Sequence, residues 1–182
     1  MNRDDTIYWI DQLIPGELET GDGVVTADLG DGQRVAVTVG FADIDTGLVT
    51  VEDGTDVRSE LIIVGRATQE QLTAVLRAAV RAFEGGDLPA QPGTLLPLLD
   101  ADLTDVSVAH AICVPPYLWG GEVPRVTEEG RLTVLQQQVM LTDAEYAYAP
   151  EEGAVALQQA LVASGRTDMV QIELMAKPRK RR

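Results

Sequence analysis

His110 and Cys113 are the only histidine and the only cysteine in this chain of 182 residues, so any Cys–His nucleophilic pair must be built from them. They stand three apart in a run where Val106, Val108, His110, Ile112 and Val114 alternate with their neighbours as in a strand. Residues three apart on a strand project to opposite faces. Thiol and imidazole therefore cannot share a proton, and His110 reads as a core residue on a valine face. Serine nucleophiles have no better setting. No Gly-x-Ser-x-Gly turn occurs, Ser59, Ser107 and Ser164 fall in strands or at a helix end, and a triad would have to draw on His110 again. A structural zinc site takes about four Cys or His ligands, and the chain has one of each. Its only lysines are Lys177 and Lys180, which removes both a lysine-bearing phosphate loop and a desolvated Schiff-base lysine.

Carboxylates are abundant. Asp28, Asp31, Asp43, Asp45, Asp53 and Asp56 gather near expected turns, where Asp bonds its own backbone. Asp43-x-Asp45 with Gly47 approaches the start of a calcium loop but fails its spacing. A carboxylate-based hydrolase stays open as an alternative, because the separation it needs is spatial. No catalytic, cofactor-binding or metal-ligating residue is assigned. Tyr117-Leu-Trp-Gly-Gly121 is the one loop with the chemistry of an interface anchor. Tyr117 and Trp119 are its protein-interface candidates; the alternative is that Trp119 folds back onto a core short of aromatics.

The formal net charge is −15. Five of the 14 cations lie in residues 177–182, so residues 1–176 carry nine cations against 29 acids, a net −20. Such a body repels nucleic-acid phosphates and speeds encounter with a basic protein, although surplus acid also serves solubility alone. The first twenty residues hold Asp4, Asp5, Asp11, Glu17 and Glu19 with no apolar leader. No run approaches the roughly 20 apolar residues of a membrane span, and one cysteine gives no internal disulfide. The expectation is a cytoplasmic protein with a protein partner of basic character, no nucleic acid, no membrane and no cofactor; oligomeric state is left open.

These residues must be positioned by a strand-rich scaffold. Val24–Leu29 and Arg34–Gly40 flank Asp31-Gly32, a hairpin signal. Leu48–Val51 and Arg58–Gly65 read as further strands. The period then changes: Leu72, Val75, Leu76, Ala79, Val80 and Phe83 form one helical stripe, opened by a Thr68/Gln71 capping box and stopped by Gly85-Gly86. Residues 106–114 and 132–141 return to strand. Thr142 and Glu145 form a second capping box, Pro150 is placed at the start of a third helix, and Met169–Leu174 reads as a last strand. Ile7–Ile14 reads as a short helix that packs Trp9 on the sheet. The expected fold is a single α+β domain, a mostly antiparallel or mixed sheet with about three helices packed on it. The divisions are an N-terminal segment 1–19, the domain 20–175 and a basic disordered tail 176–182.

The order of pieces resembles the suppressor of fused domain family in its bacterial form. Val37-Thr-Val-Gly-Phe-Ala42 is similar to that family's strand ending in a Gly–small turn, and Arg58-Ser-Glu-Leu61 to its R-x-E-L strand before the amphipathic helix. Leu88–Gly93 is similar to its Pro–Gly loop, and Leu132–Tyr146 to its strand running into a P-I-T-x-x-E helix start. Met140 stands where the family usually has proline, and glutamines replace aromatics in the preceding strand. The resemblance implies an α+β binding protein without catalytic residues. For bacterial members it implies an association with toxin systems as immunity proteins. A chaperone-like or regulatory adaptor for a secretion or signalling system is the alternative role.

Overall fold

Asp31 and Gly32 adopt positive φ, 52° and 75°, the conformation a tight hairpin with right-handed strand twist demands. They join β2 (Val24–Gly30) to β3 (Gln33–Thr38), with Val25 opposite Val37 and Ala27 opposite Val35. In the computed structural model the described residues are 1–97, 109–116, 118–120 and 122–163. They add β1 (Glu19–Thr20), β4 (Asp56–Gly65), β5 (Leu95–Leu96), β6 (His110–Val114), β7 (Arg125–Glu128) and β8 (Arg131–Leu141). One eight-stranded sheet results, in the order β1-β2-β3-β4-β8-β6-β5, with β7 paired to β8. Every pairing is antiparallel except β4–β8. The sheet is mixed because parallel neighbours need a long crossover, and here that crossover includes α2 (Gln69–Glu84).

Alternation along β4 divides the core. Leu61 and Ile63 join Ala36, Phe41 and the Leu72, Val75, Leu76, Ala79, Phe83 stripe of α2. Ile62 and Val64 join Val25, Val35, Val37 and Leu135 with Ile10 and Ile14 from the region of α1 (Arg3–Leu13). Helices thus cover both faces, as expected of β4, whose residues Ser59–Val64 are all buried. α1 buries Ile10 fully, and Trp9 only in part, so the aliphatic residue is its main anchor. A third cluster packs Ile112, Val114, Val139 and Leu141 against Ala149 of α3 (Asp143–Glu152) and Leu157 of α4 (Ala154–Ala163). Among the described residues no helix is long and apolar enough to cross a membrane.

Three readings of the sequence change. Leu48–Val51 is not a strand: only Val49 makes an isolated bridge, to Asp56. Val49 and Val51 are exposed, and β-branched propensity without a covering surface does not build a ladder. Pro150 does not open a helix but lies in the last turns of α3, and the chain breaks at Gly153, φ 88°. Gln136, Gln137 and Gln138, residues that weaken a strand reading, are buried in β8. Gln136 Nε2 donates to the Val114 carbonyl (3.0 Å) and Gln138 Nε2 to Cys113 Sγ (3.1 Å), and such partners make buried amides tolerable. Met169–Leu174 and the tail 176–182 lie outside the described residues.

Candidate protein-interaction surface

The sequence-selected residues fall in different places. His110 and Cys113 project to opposite faces of β6. His110 stacks on Tyr146 (centroids 4.2 Å, 13° between planes) and its Nε2 lies 2.7 Å from Asp143 Oδ1. Cys113 sits in the cluster under α2. Burial pushes its thiol up to about 12, against the opposing hydrogen bond from Gln138, so it stays protonated and a poor nucleophile at neutral pH. Trp119 is 7% exposed and packs with Ile10, Ile14 and Leu118; in this position its ring fills the α1-side core and offers a partner little surface. Tyr117 lies outside the described residues.

A surface the sequence reading passed over lies between β3 and β4. Glu60 is completely buried and accepts four hydrogen bonds. Thr38 Oγ1 (2.5 Å) and the Phe41 amide (3.1 Å) donate to its Oε2, and the Gly40 (2.9 Å) and Ala42 (3.3 Å) amides donate to its Oε1. Burial raises its pKa, while these bonds pull the other way. The carboxylate caps the start of a 3₁₀ turn at Phe41–Asp43, reached through Gly40 at φ 111°. Two residues earlier, Arg58 holds the other end of that turn. Its Nη1 donates to the Asp43 (3.3 Å) and Ala42 (3.5 Å) carbonyls, its Nε to Asp56 Oδ2 (2.8 Å), and its Nη2 lies 3.5 Å from Asp45 Oδ2. The Arg-x-Glu-Leu motif is therefore a two-point clamp on the chain that leaves β3. Its signal in the sequence was a charged pair beside an apolar strand end.

The clamped segment leads into a bonded tip. Thr50 N donates to the Thr55 carbonyl (2.9 Å), Gly54 N to the Thr50 carbonyl (3.0 Å) and Val57 N to the Leu48 carbonyl (2.9 Å). Asp53 Oδ1 accepts from Thr50 Oγ1 (2.5 Å), Thr55 Oγ1 (2.7 Å) and Thr55 N (3.1 Å), and these bonds lower its pKa. Asp45 Oδ1 closes its own turn onto Gly47 N (2.8 Å), a structural use of the carboxylate that sequence spacing compared with calcium loops. From this rigid tip Val49 is 60% exposed and Val51 fully so. Asp43, Asp45, Glu52 and Asp53 surround them on the chain, all exposed. Residues 41–57 hold no cation, and Arg58 is bound to Asp56 and Asp45. Two exposed valines on an ordered, anionic tip suit recognition rather than catalysis. A groove of about 380 Å³ between Asp22–Val24, Thr38–Phe41 and the Arg77–Glu84 stretch of α2 has no His, Cys or Ser in its lining.

A mixed α+β sheet with a clamped surface tip defines a binding-type domain. The suppressor of fused protein family profile matches residues 19–173, and the chain belongs to that family. No curated protein sequence matches the chain. Among solved structures, it is similar to a suppressor of fused homologue from Neisseria gonorrhoeae FA 1090, with 12% identity, TM-score 0.66, and coverage of 96% of this chain and 95% of that one. A crystal structure of the Sufu–Fu complex aligns at 13% identity and TM-score 0.63 over 93% of this chain and 88% of that one. Drosophila Suppressor of Fused aligns at 13% identity and TM-score 0.54 over 93% of this chain but 44% of its own length. These similarities establish the fold.

Proposed function

We propose that this chain is a non-enzymatic protein-binding module that recognises a basic protein, and that its role is neutralisation of a basic toxin domain in the manner of an immunity protein. The observation that carries the binding reading is the clamped anionic tip. Its valines supply apolar contact, and its carboxylates steer a cationic partner and set orientation. Support from outside the chain is the solved complex of a similar domain with a protein, Sufu with Fu. Ordering the tip before binding lowers the entropic cost of association, which is the physical use of burying Glu60 and Arg58 beneath it. An adaptor role would instead favour an unfolded segment added to a sheet edge, and a rigid convex tip suits a folded partner better.

The test is co-expression with the products of neighbouring reading frames. A basic product that arrests growth alone, and is relieved by this chain, supports the role. A tip variant, Val49→Ser with Val51→Ser, should lose the relief while keeping its melting temperature. Relief that persists in the variant, or neighbours with no basic or growth-arresting product, counts against it.

A further inference from the structure

The exposed valine tip has a second candidate occupant within the chain itself. Residues 177–182, Lys-Pro-Arg-Lys-Arg-Arg, hold five cations in six positions. They lie outside the described residues, whose last is Ala163 at the end of α4. We propose that this basic segment docks on the Leu48–Asp53 tip of its own chain and competes there with the basic partner. The proposal rests on the partner-binding reading of the same surface and adds its regulation.

Four arguments support it. Charge is complementary: Asp43, Glu52 and Asp53 make no ion pair among the described residues, whereas Asp28 lies near Arg34 and Asp56 near Arg58 and Arg131. Shape and polarity match too, since Lys and Arg stems and the Pro178 ring are apolar bodies carrying charge at their ends, suited to Val49 and Val51 between carboxylates. Reach is sufficient. The 13 residues 164–176 span at most about 45 Å extended, while a compact domain of this length is about 40 Å across from the usual size scaling. Finally, tethering supplies an effective concentration on the order of millimolar, so a contact too weak to hold a free hexapeptide can still be occupied in cis. A strong external partner displaces it, and the tail acts as a selectivity threshold against weakly basic proteins.

The experiment uses the full chain with Ala176→Cys carrying a nitroxide; Cys113, buried with its thiol held protonated, does not compete for the label. Docking predicts broadening of the Val49 and Val51 methyl signals and the Thr50–Gly54 amides at about 25 mM salt, relieved at about 500 mM, where screening is nearly complete beyond a few ångströms. The same relief is expected in Asp43→Asn with Glu52→Gln, two acids to which the structure gives no side-chain hydrogen bond. A free Lys-Pro-Arg-Lys-Arg-Arg peptide should perturb these signals at least tenfold more strongly in a full-length chain whose five tail cations are changed to Gln. Absent broadening, broadening spread equally over Tyr8 and Asp31, or equal peptide response in both chains would overturn the proposal. If the docking signals fail while Val49→Ser with Val51→Ser still abolishes toxin relief, the regulation is wrong and the binding reading stands. If docking is seen and relief persists, the binding reading is what fails.

Discussion

Removing the Glu60 side chain tests whether the tip is clamped from below. In Glu60→Ala four donors lose their acceptor: Thr38 Oγ1 and the amides of Gly40, Phe41 and Ala42. Gly40 is exposed and can turn to water, whereas Thr38, Phe41 and Ala42 are buried. An orphaned buried donor costs about 1–3 kcal/mol, and the relieved burial of a charge offsets part of three such losses, leaving about 3 kcal/mol. Glu60→Gln is milder. Its oxygen can serve the Gly40 and Ala42 amides and its NH₂ can donate to Thr38 Oγ1, so the Phe41 amide alone is stranded, at about 2 kcal/mol. Urea unfolding, with hydrogen exchange at residues 40–42, measures both. The pH dependence has a definite sign. Because the folded pKa is raised, the folded state holds the proton more tightly, and stability at this site is full below the ordinary Glu range and lost as pH rises through the folded value. The stability gap between wild type and Glu60→Gln should therefore shrink from pH 4 to pH 7. A Glu60→Ala protein within about 0.5 kcal/mol of wild type, with unchanged exchange at Phe41, would refute the clamp; surface substitutions stay within that range.

Other outcomes follow from the same contacts. Trp119→Ala should lose about 3–5 kcal/mol of folding stability, the usual cost of emptying a buried aromatic site; an unchanged urea midpoint would return Trp119 to the surface. Thr142→Ala removes the cap of α3, whose hydroxyl accepts from Glu145 N (3.3 Å) while Glu145 reaches back to Thr142 N (2.8 Å), and should cost about 1 kcal/mol by chemical denaturation. Cys113 should resist thiol reagents at pH 8 in the native protein and react fully in denaturant, since the thiolate is the reactive species; rapid native labelling would contradict its burial.

Much of the scaffold was legible because its signals are local. Asp31-Gly32 fixed a hairpin, and the Leu72–Phe83 stripe with Thr68 and Gln71 fixed a helix whose capping box is present in full. The separation of His110 from Cys113 followed from strand geometry alone. What escaped notice depends on partners distant in the chain. Glu60 interacts with residues 38–42 through the β3–β4 pairing, so nothing beside it in the sequence explains its charge. The valines of Leu48–Val51 carry strand propensity, and only the absence of a covering layer, a tertiary fact, makes them a surface. Gln136–Gln138 discouraged a strand until β6 supplied a carbonyl and a thiol for two of their amides. The tryptophan loop illustrates the reverse: composition marks Trp119 as large and adhesive but cannot say which side it adheres to.

The central claim, that a basic protein is bound through the Val49–Val51 tip, is tested most directly by affinity isolation from the native host with two baits, wild type and Val49→Ser with Val51→Ser. Both baits should melt alike, because the replaced side chains are exposed. A basic protein retained by wild type at about 50 mM salt and weakened at about 500 mM, with at least tenfold loss of affinity on the double variant, is the predicted result. The same protein held equally by both baits, or a partner whose binding ignores salt, would contradict it.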